Sequence, residues 1–198
     1  MNASLWRKRD AYTVYLFTTG MLSVFLTMIF VINAVFLVKE VGLDPLQLVL
    51  VGTTLEMTVL LFEIPTGVVA DVYSRRLSII IGMFLMGVGF MVGSVPQFAL
   101  VLLSQVLWGL GYTFTSGATE AWISDEIGEE RARNAFKRGS QIERIGELGG
   151  IPIGVGLATV ALSLPIFVGG VLLVGLGVAL IIIMPEDGFS PVPASERE

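Results

Sequence analysis

Six apolar runs dominate the chain, at residues 12–38, 46–70, 77–95, 98–123, 140–162 and 165–184. About 20 predominantly apolar residues carry a helix across the roughly 30 Å hydrocarbon core of a bilayer. Lipid offers no partner to a backbone N–H or C=O, so each run must satisfy its own hydrogen bonds by forming a helix. An all-α membrane protein with six transmembrane helices follows. Composition agrees: hydrophobic residues make up 54% of the 198 and charged residues only 15%, outside the range of soluble domains.

The chain contains no cysteine and no histidine. Disulfides, thiolate and imidazole metal sites, and Ser-His-Asp or Cys-His nucleophiles are therefore excluded. No metal or other cofactor is expected, no enzyme class is supported, and nothing points to nucleic acid. The opening "MNASLWRKRDAYTVYLF" starts like a secretory signal, with Arg7, Lys8 and Arg9 before an apolar run. That run continues to about Val38 without a small-residue cleavage site, so it reads as a retained first span.

Helix starts are marked between the runs. In "LDPLQ", Asp44 is placed to cap, Pro45 to occupy the first helical position and Gln47 to complete a capping box; "SVPQ" and "SLP" set Ser94 and Ser163 ahead of Pro96 and Pro165. Eleven of the twelve basic residues fall on one side of a six-span topology, at 7–9, 75, 76, 131, 133, 137, 138, 144 and 197; Lys39 alone falls on the other. The positive-inside rule then puts both termini in the cytoplasm. The expected division is a cytoplasmic tail at 1–11, a six-helix domain at 12–184, and at 185–198 a polar flexible tail or the start of a linker to a missing second half. "EIGEERARNAFKR" is expected to be a solvated, mixed-charge surface helix.

Gly146, Gly150 and Gly154 recur every fourth residue, flanked by Gly149 and Gly156, and Gly89 and Gly93 repeat the spacing. Small residues at this interval let helices approach closely, for static packing or for sliding. Ionisable groups inside a membrane are costly and face an interior or a water path. Glu56 and Glu63, seven residues apart, share a stripe expected to point inward, for proton or cation handling or as a hydrogen-bonded packing element. Glu120, Asp125 and Glu126 close span four, and Glu143, Arg144 and Glu147 open span five. Arg144 can pair with Glu147 or with a span-four carboxylate, making a structural ion cluster or a substrate-charge site. Trp108, Tyr112, Phe114, Met86 and Met91 are either cavity wall or ordinary packing.

Between spans two and three stands "GVVADVYSRR". It resembles the loop signature of the major facilitator superfamily, Gly-x-x-x-Asp-x-x-Gly-Arg-Lys/Arg, with Gly67, Asp71, Arg75 and Arg76 matching and Ser74 replacing the second glycine. The upstream "EIPTG" is similar to a bacterial variant. The resemblance implies the N-terminal half bundle of such a transporter, built of 3+3 inverted repeats, in the cytoplasmic membrane. It implies a secondary active transporter that moves a small-molecule substrate by alternating access, outward in direction, with protons as the candidate coupling ion and a second six-helix half as partner. Asp125 matches the acidic residue that pairs with the loop arginine in similar transporters, completing a gate of Gly67, Asp71, Arg75, Arg76 and Asp125. Glu56, Glu63, Gln105, Glu120 and Glu147 are the candidate coupling or substrate residues. Two departures stand out: Gln105 occupies the place of a span-four arginine found in many proton-coupled members, and "GELGGIPIGVG" inserts Ile151 into the antiporter pattern of span five. The alternative reading is a transport-inactive six-helix fragment or assembly partner.

Overall fold

The computed structural model describes residues 10–190; the basic patch at 7–9 and Arg197 lie outside them. All regular structure among the described residues is helical: α1 (Ala11–Lys39), α2 (Pro45–Val72), α3 (Arg75–Gly93), α4 (Phe98–Thr115), α5 (Ala118–Ile127), α6 (Glu129–Ala158) and α7 (Leu164–Ile183). Five stretches are long and apolar enough to cross a bilayer: α1, α2, α3, Phe98–Ile127 (α4 with α5) and α7. The expected sixth, within α6, has the length at 30 residues but carries Glu143, Arg144 and Glu147.

Local chemistry fixes most boundaries as the sequence indicates. Asp44 accepts from the Gln47 N–H at 2.9 Å while the Gln47 side chain accepts from the Asp44 N–H at 3.1 Å, a complete capping box ahead of Pro45. Three expectations change. Ser94 does not start a helix; it ends α3, and α4 begins at Phe98 after Gln97. Span four is broken, because Ser116 is extended and Gly117 takes φ +72°, a left-handed conformation that favours glycine. The segment expected as a separate surface helix is the first third of α6, and Ala132 and Ala135 within it are fully buried.

The helices pack as two interlocked triplets. α1 lies along α6, α2 against α4, α3 against α4 and α7, and α7 against α1. Counting α4–α5 as one span, replace each span by the one three places on. The α1–α6 contact becomes α4–α2, α3–α4 becomes α7–α1, and α3–α7 maps onto itself. Spans three apart run in opposite directions, so the pseudo-two-fold lies in the membrane plane, as in inverted-repeat transporters. Glycines make the closest approaches. A Cβ on Gly146, Gly150 or Gly154 would lie 2.6–3.0 Å from α1 backbone or from Ser23, and a Cβ on Gly87 or Gly170 would lie 2.7 or 2.6 Å from the other's carbonyl oxygen. Gly149 and Gly156, by contrast, face open space. α2 and α6 are edge helices; α2 buries only Val51, Thr58, Thr66 and Ala70.

Candidate functional site: the charged end of the bundle

The loop between α2 and α3 is only Tyr73 and Ser74, and it fixes the geometry of the charged cluster. Arg75 and Arg76 are the first residues of α3, and Asp125 stands in the last turn of α5. Each charge is at the end of its helix where the macrodipole disfavours it. Each therefore gains from a partner on another element. The Arg75 Nη1 donates to the Asp125 carboxylate, while Asp71, one turn earlier on α2 and half exposed, is 3.8 Å from Arg75. The sequence motif and its expected acidic partner are thus brought together, with Asp125 and not Asp71 making the close contact.

Ser74 explains how the motif does without its second glycine. Its φ is −175°, an extended conformation open to any residue, and its hydroxyl accepts the Leu77 N–H at 2.9 Å, capping α3. Ser74 also donates to the Glu186 carboxylate at 2.8 Å, and that carboxylate accepts the Arg76 N–H at 3.0 Å. A negative group thereby sits at the α3 N-terminus, offsetting the two arginines. The Arg76 Nη2 donates to the Ile181 carbonyl at 2.5 Å. Among the described residues, the Nε–H groups of both arginines are buried without an acceptor.

Glu186 belongs to a strap, Met184–Phe189, which the sequence indicates only as the start of a polar tail. The buried Trp122 indole N–H donates to the Pro185 carbonyl at 2.8 Å, and Glu126 accepts the Asp187 and Gly188 N–H groups at 2.6 and 2.7 Å. Phe189 lies 6.0 Å from the Arg75 guanidinium. The strap therefore ties the exit of α7 to α3 and α5. The sequence reading missed it; the one signal that could have found it is a proline followed by two acids directly after an apolar span.

The remaining candidates separate. Glu56 and Glu63 do not point into the bundle; both are exposed on the edge helix α2, because its buried stripe runs through Thr58 and Thr66. Gln105 donates to Ser104 at 3.2 Å within the α4 interior. Arg144 pairs with Glu147 at 3.0 Å and with no span-four carboxylate. Glu120 instead shares a cavity of about 360 Å³ with Glu143, Tyr15, Tyr112, Thr115 and the Ser116–Gly117 break. Irregular backbone at membrane depth belongs beside such a cavity, where freed polar groups meet water or ligand. Of the aromatic and methionine candidates, Trp108 stacks on Tyr112 with centroids 5.8 Å apart, and Met86 is core.

Known proteins match this chain as follows. The sequence profile described as Major Facilitator Superfamily matches residues 15–198. A Bacillus subtilis (strain 168) protein, Uncharacterized MFS-type transporter YxaM, is 32% identical over 100 residues. The aligned stretch covers 50% of this chain and 25% of that relative.

Proposed function

The chain belongs to the major facilitator superfamily, a family of membrane transporters, and on that premise we propose that it is the gated N-terminal half of a secondary active transporter. The observation that carries this reading is the Arg75–Asp125 pair, flanked by Asp71. Two charges at unfavourable helix ends stabilise each other across two elements that no covalent loop joins. Such a latch need supply only a few kcal/mol to bias a two-state equilibrium.

When the pair is formed, α3 and α5 close the end of the bundle; when it breaks, the cavity at Glu120 and Glu143 opens to that side. This end is the cytoplasmic one, and both termini share it, which follows from the distribution of basic residues. Residues 1–11 are then an inner tail, 12–184 the six-span domain and 185–198 the lead into a second half. The small-molecule substrate lies between the halves and moves outward across the cytoplasmic membrane. Glu56 and Glu63, exposed on α2, face that second half or a water path, where a carboxylate can take up and release a proton during the cycle.

The gate has a test that needs no substrate, because the chain lacks cysteine. A single Thr119→Cys, on the cavity wall, is labelled in inside-out vesicles with a membrane-impermeant maleimide. Adding Asp125→Asn breaks the close pair and raises the labelling rate severalfold, and Asp71→Asn raises it less. An unchanged rate in both variants overturns the gate.

A further inference from the structure

On the side of Trp108 away from the gate, α1, α3 and α4 enclose a cavity of about 30 Å³ that the proposed cycle does not use. Ser104, Gln105 and Trp108 line it from one face of α4, Phe30 and Asn33 from α1, three residues apart, and Gly93 from the end of α3. Gln105 stands seven residues into α4, about 10 Å along the helix. The cavity therefore lies at membrane depth.

The Trp108 indole N–H is shielded from solvent and has no acceptor among the described residues. The ring itself is fully engaged: Tyr112 stacks on it, and Phe30 and Phe90 meet it edge-on at 5.7 and 6.0 Å between centroids. A phenylalanine would serve that packing as well. The N–H is the group left over, and a buried indole N–H usually finds a partner. Other polar groups around the cavity also have capacity to spare. Gln105 donates to Ser104 at 3.2 Å, and Ser104 donates to the Val101 carbonyl at 2.7 Å. The Gln105 amide oxygen and the Asn33 side chain have no partner among the described residues.

These groups define what fits between them. The indole N–H only donates, so it takes an acceptor and rejects a cation, while the two amides offer oxygens that receive protons. No ionisable residue lines the cavity, so nothing there balances an anion. A buried water needs at least about 10–15 Å³ and two to four polar partners. This cavity exceeds the first requirement and meets the second.

We propose that Trp108, Gln105 and Asn33 form a binding site for a single uncharged oxygen. Its source is a water molecule, or a hydroxyl or carbonyl group of the transported molecule that reaches in past Phe30, which is 46% exposed. Either oxygen accepts from the indole and joins α4 to α1. The site rests on the packing of these helices and not on the gate, so failure of the gate in the labelling assay leaves it standing.

The test is ultraviolet resonance Raman spectroscopy of the purified full chain in detergent, in which an indole band reports whether the N–H is hydrogen-bonded. The difference between the wild-type and Trp108→Phe spectra isolates Trp108. The corresponding difference with Trp122→Phe supplies the bonded reference, because Trp122 donates to the Pro185 carbonyl at 2.8 Å. In plain buffer the Trp108 band is expected at the bonded position, which assigns the oxygen to water. A free band that moves to the bonded position when acetamide, a small uncharged amide, is added assigns the site to a solute oxygen. A free band under both conditions overturns the site. Gln105→Leu and Asn33→Leu are each expected to shift the band toward the free position. A bonded band unchanged in both gives the N–H another partner and overturns the site as well. Should Trp108→Phe not fold, Trp6→Phe combined with Trp122→Phe leaves Trp108 as the only indole and reads its band directly.

Discussion

Gly150→Ala measures directly how α1 and α6 are held together. A methyl group at residue 150 would lie 2.7 Å from the Val24 carbonyl oxygen, 2.8 Å from the Thr27 Cβ and 3.2 Å from the Met28 nitrogen. Two of those atoms are backbone, so no rotamer change relieves them, and the helices must move apart. Overpacking of this kind costs about 1–3 kcal/mol. Alanine also gains about 1 kcal/mol over glycine in helix propensity, so one variant alone mixes two opposing effects. Gly149→Ala separates them, because a methyl group there meets nothing within 4 Å and adds propensity alone. The difference between the two variants is then the contact itself, about 1–3 kcal/mol, or roughly 5- to 150-fold in the unfolding equilibrium. Unfolding by sodium dodecyl sulfate in mixed micelles, followed by tryptophan fluorescence, measures both. If Gly149→Ala and Gly150→Ala agree within about 0.5 kcal/mol, α1 and α6 are not in backbone contact and the packing argument fails.

Two further outcomes follow from the charged end of the bundle. Ser74→Ala removes the cap of α3 and lowers stability by about 1 kcal/mol, whereas Ser74→Gly, the residue of the family signature, costs only a few tenths; equal losses in the same unfolding assay would deny Ser74 its capping role. With single cysteines in the otherwise cysteine-free chain, Tyr73→Cys, 71% exposed, is expected to react with impermeant maleimide only in inside-out vesicles. Lys39→Cys reacts only in right-side-out ones, and the reverse pattern would invert the topology.

How much of this was legible beforehand depended on whether the governing interaction was local. The capping box at Asp44–Gln47 involves four consecutive residues, and it forms as read. The Arg75–Asp125 contact spans 50 positions, and it was legible only through the resemblance of the loop to a family signature, with which the alternation of spans agrees in bringing both residues to the same end. The break at Ser116–Gly117 was not, since a lone glycine inside a helical run is commonly tolerated, and the departure lies in the backbone of Ser116 and Gly117. Glu56 and Glu63 were expected to face inward because charge avoids lipid. That argument does not distinguish the interior of six helices from an outer surface, and on the edge helix α2 both side chains are exposed. The strap at Met184–Phe189 was missed because its polarity indicated solvation, while Trp122, Glu126 and Ser74 each hold part of it from elsewhere in the chain.

In the proposed gate, the unwound pair in span four would make α5 a lever. From Gly117 to Asp125 the arm is about 12 Å long, so a tilt of about 20° at the fulcrum displaces the carboxylate by about 4 Å. That excursion outruns any hydrogen bond to Arg75, and it asks nothing of α4, which stays seated against α2 and α3 with its glycines in register. On that reading a short swivelling rod would throw the switch while the larger part of the membrane-buried scaffold holds still.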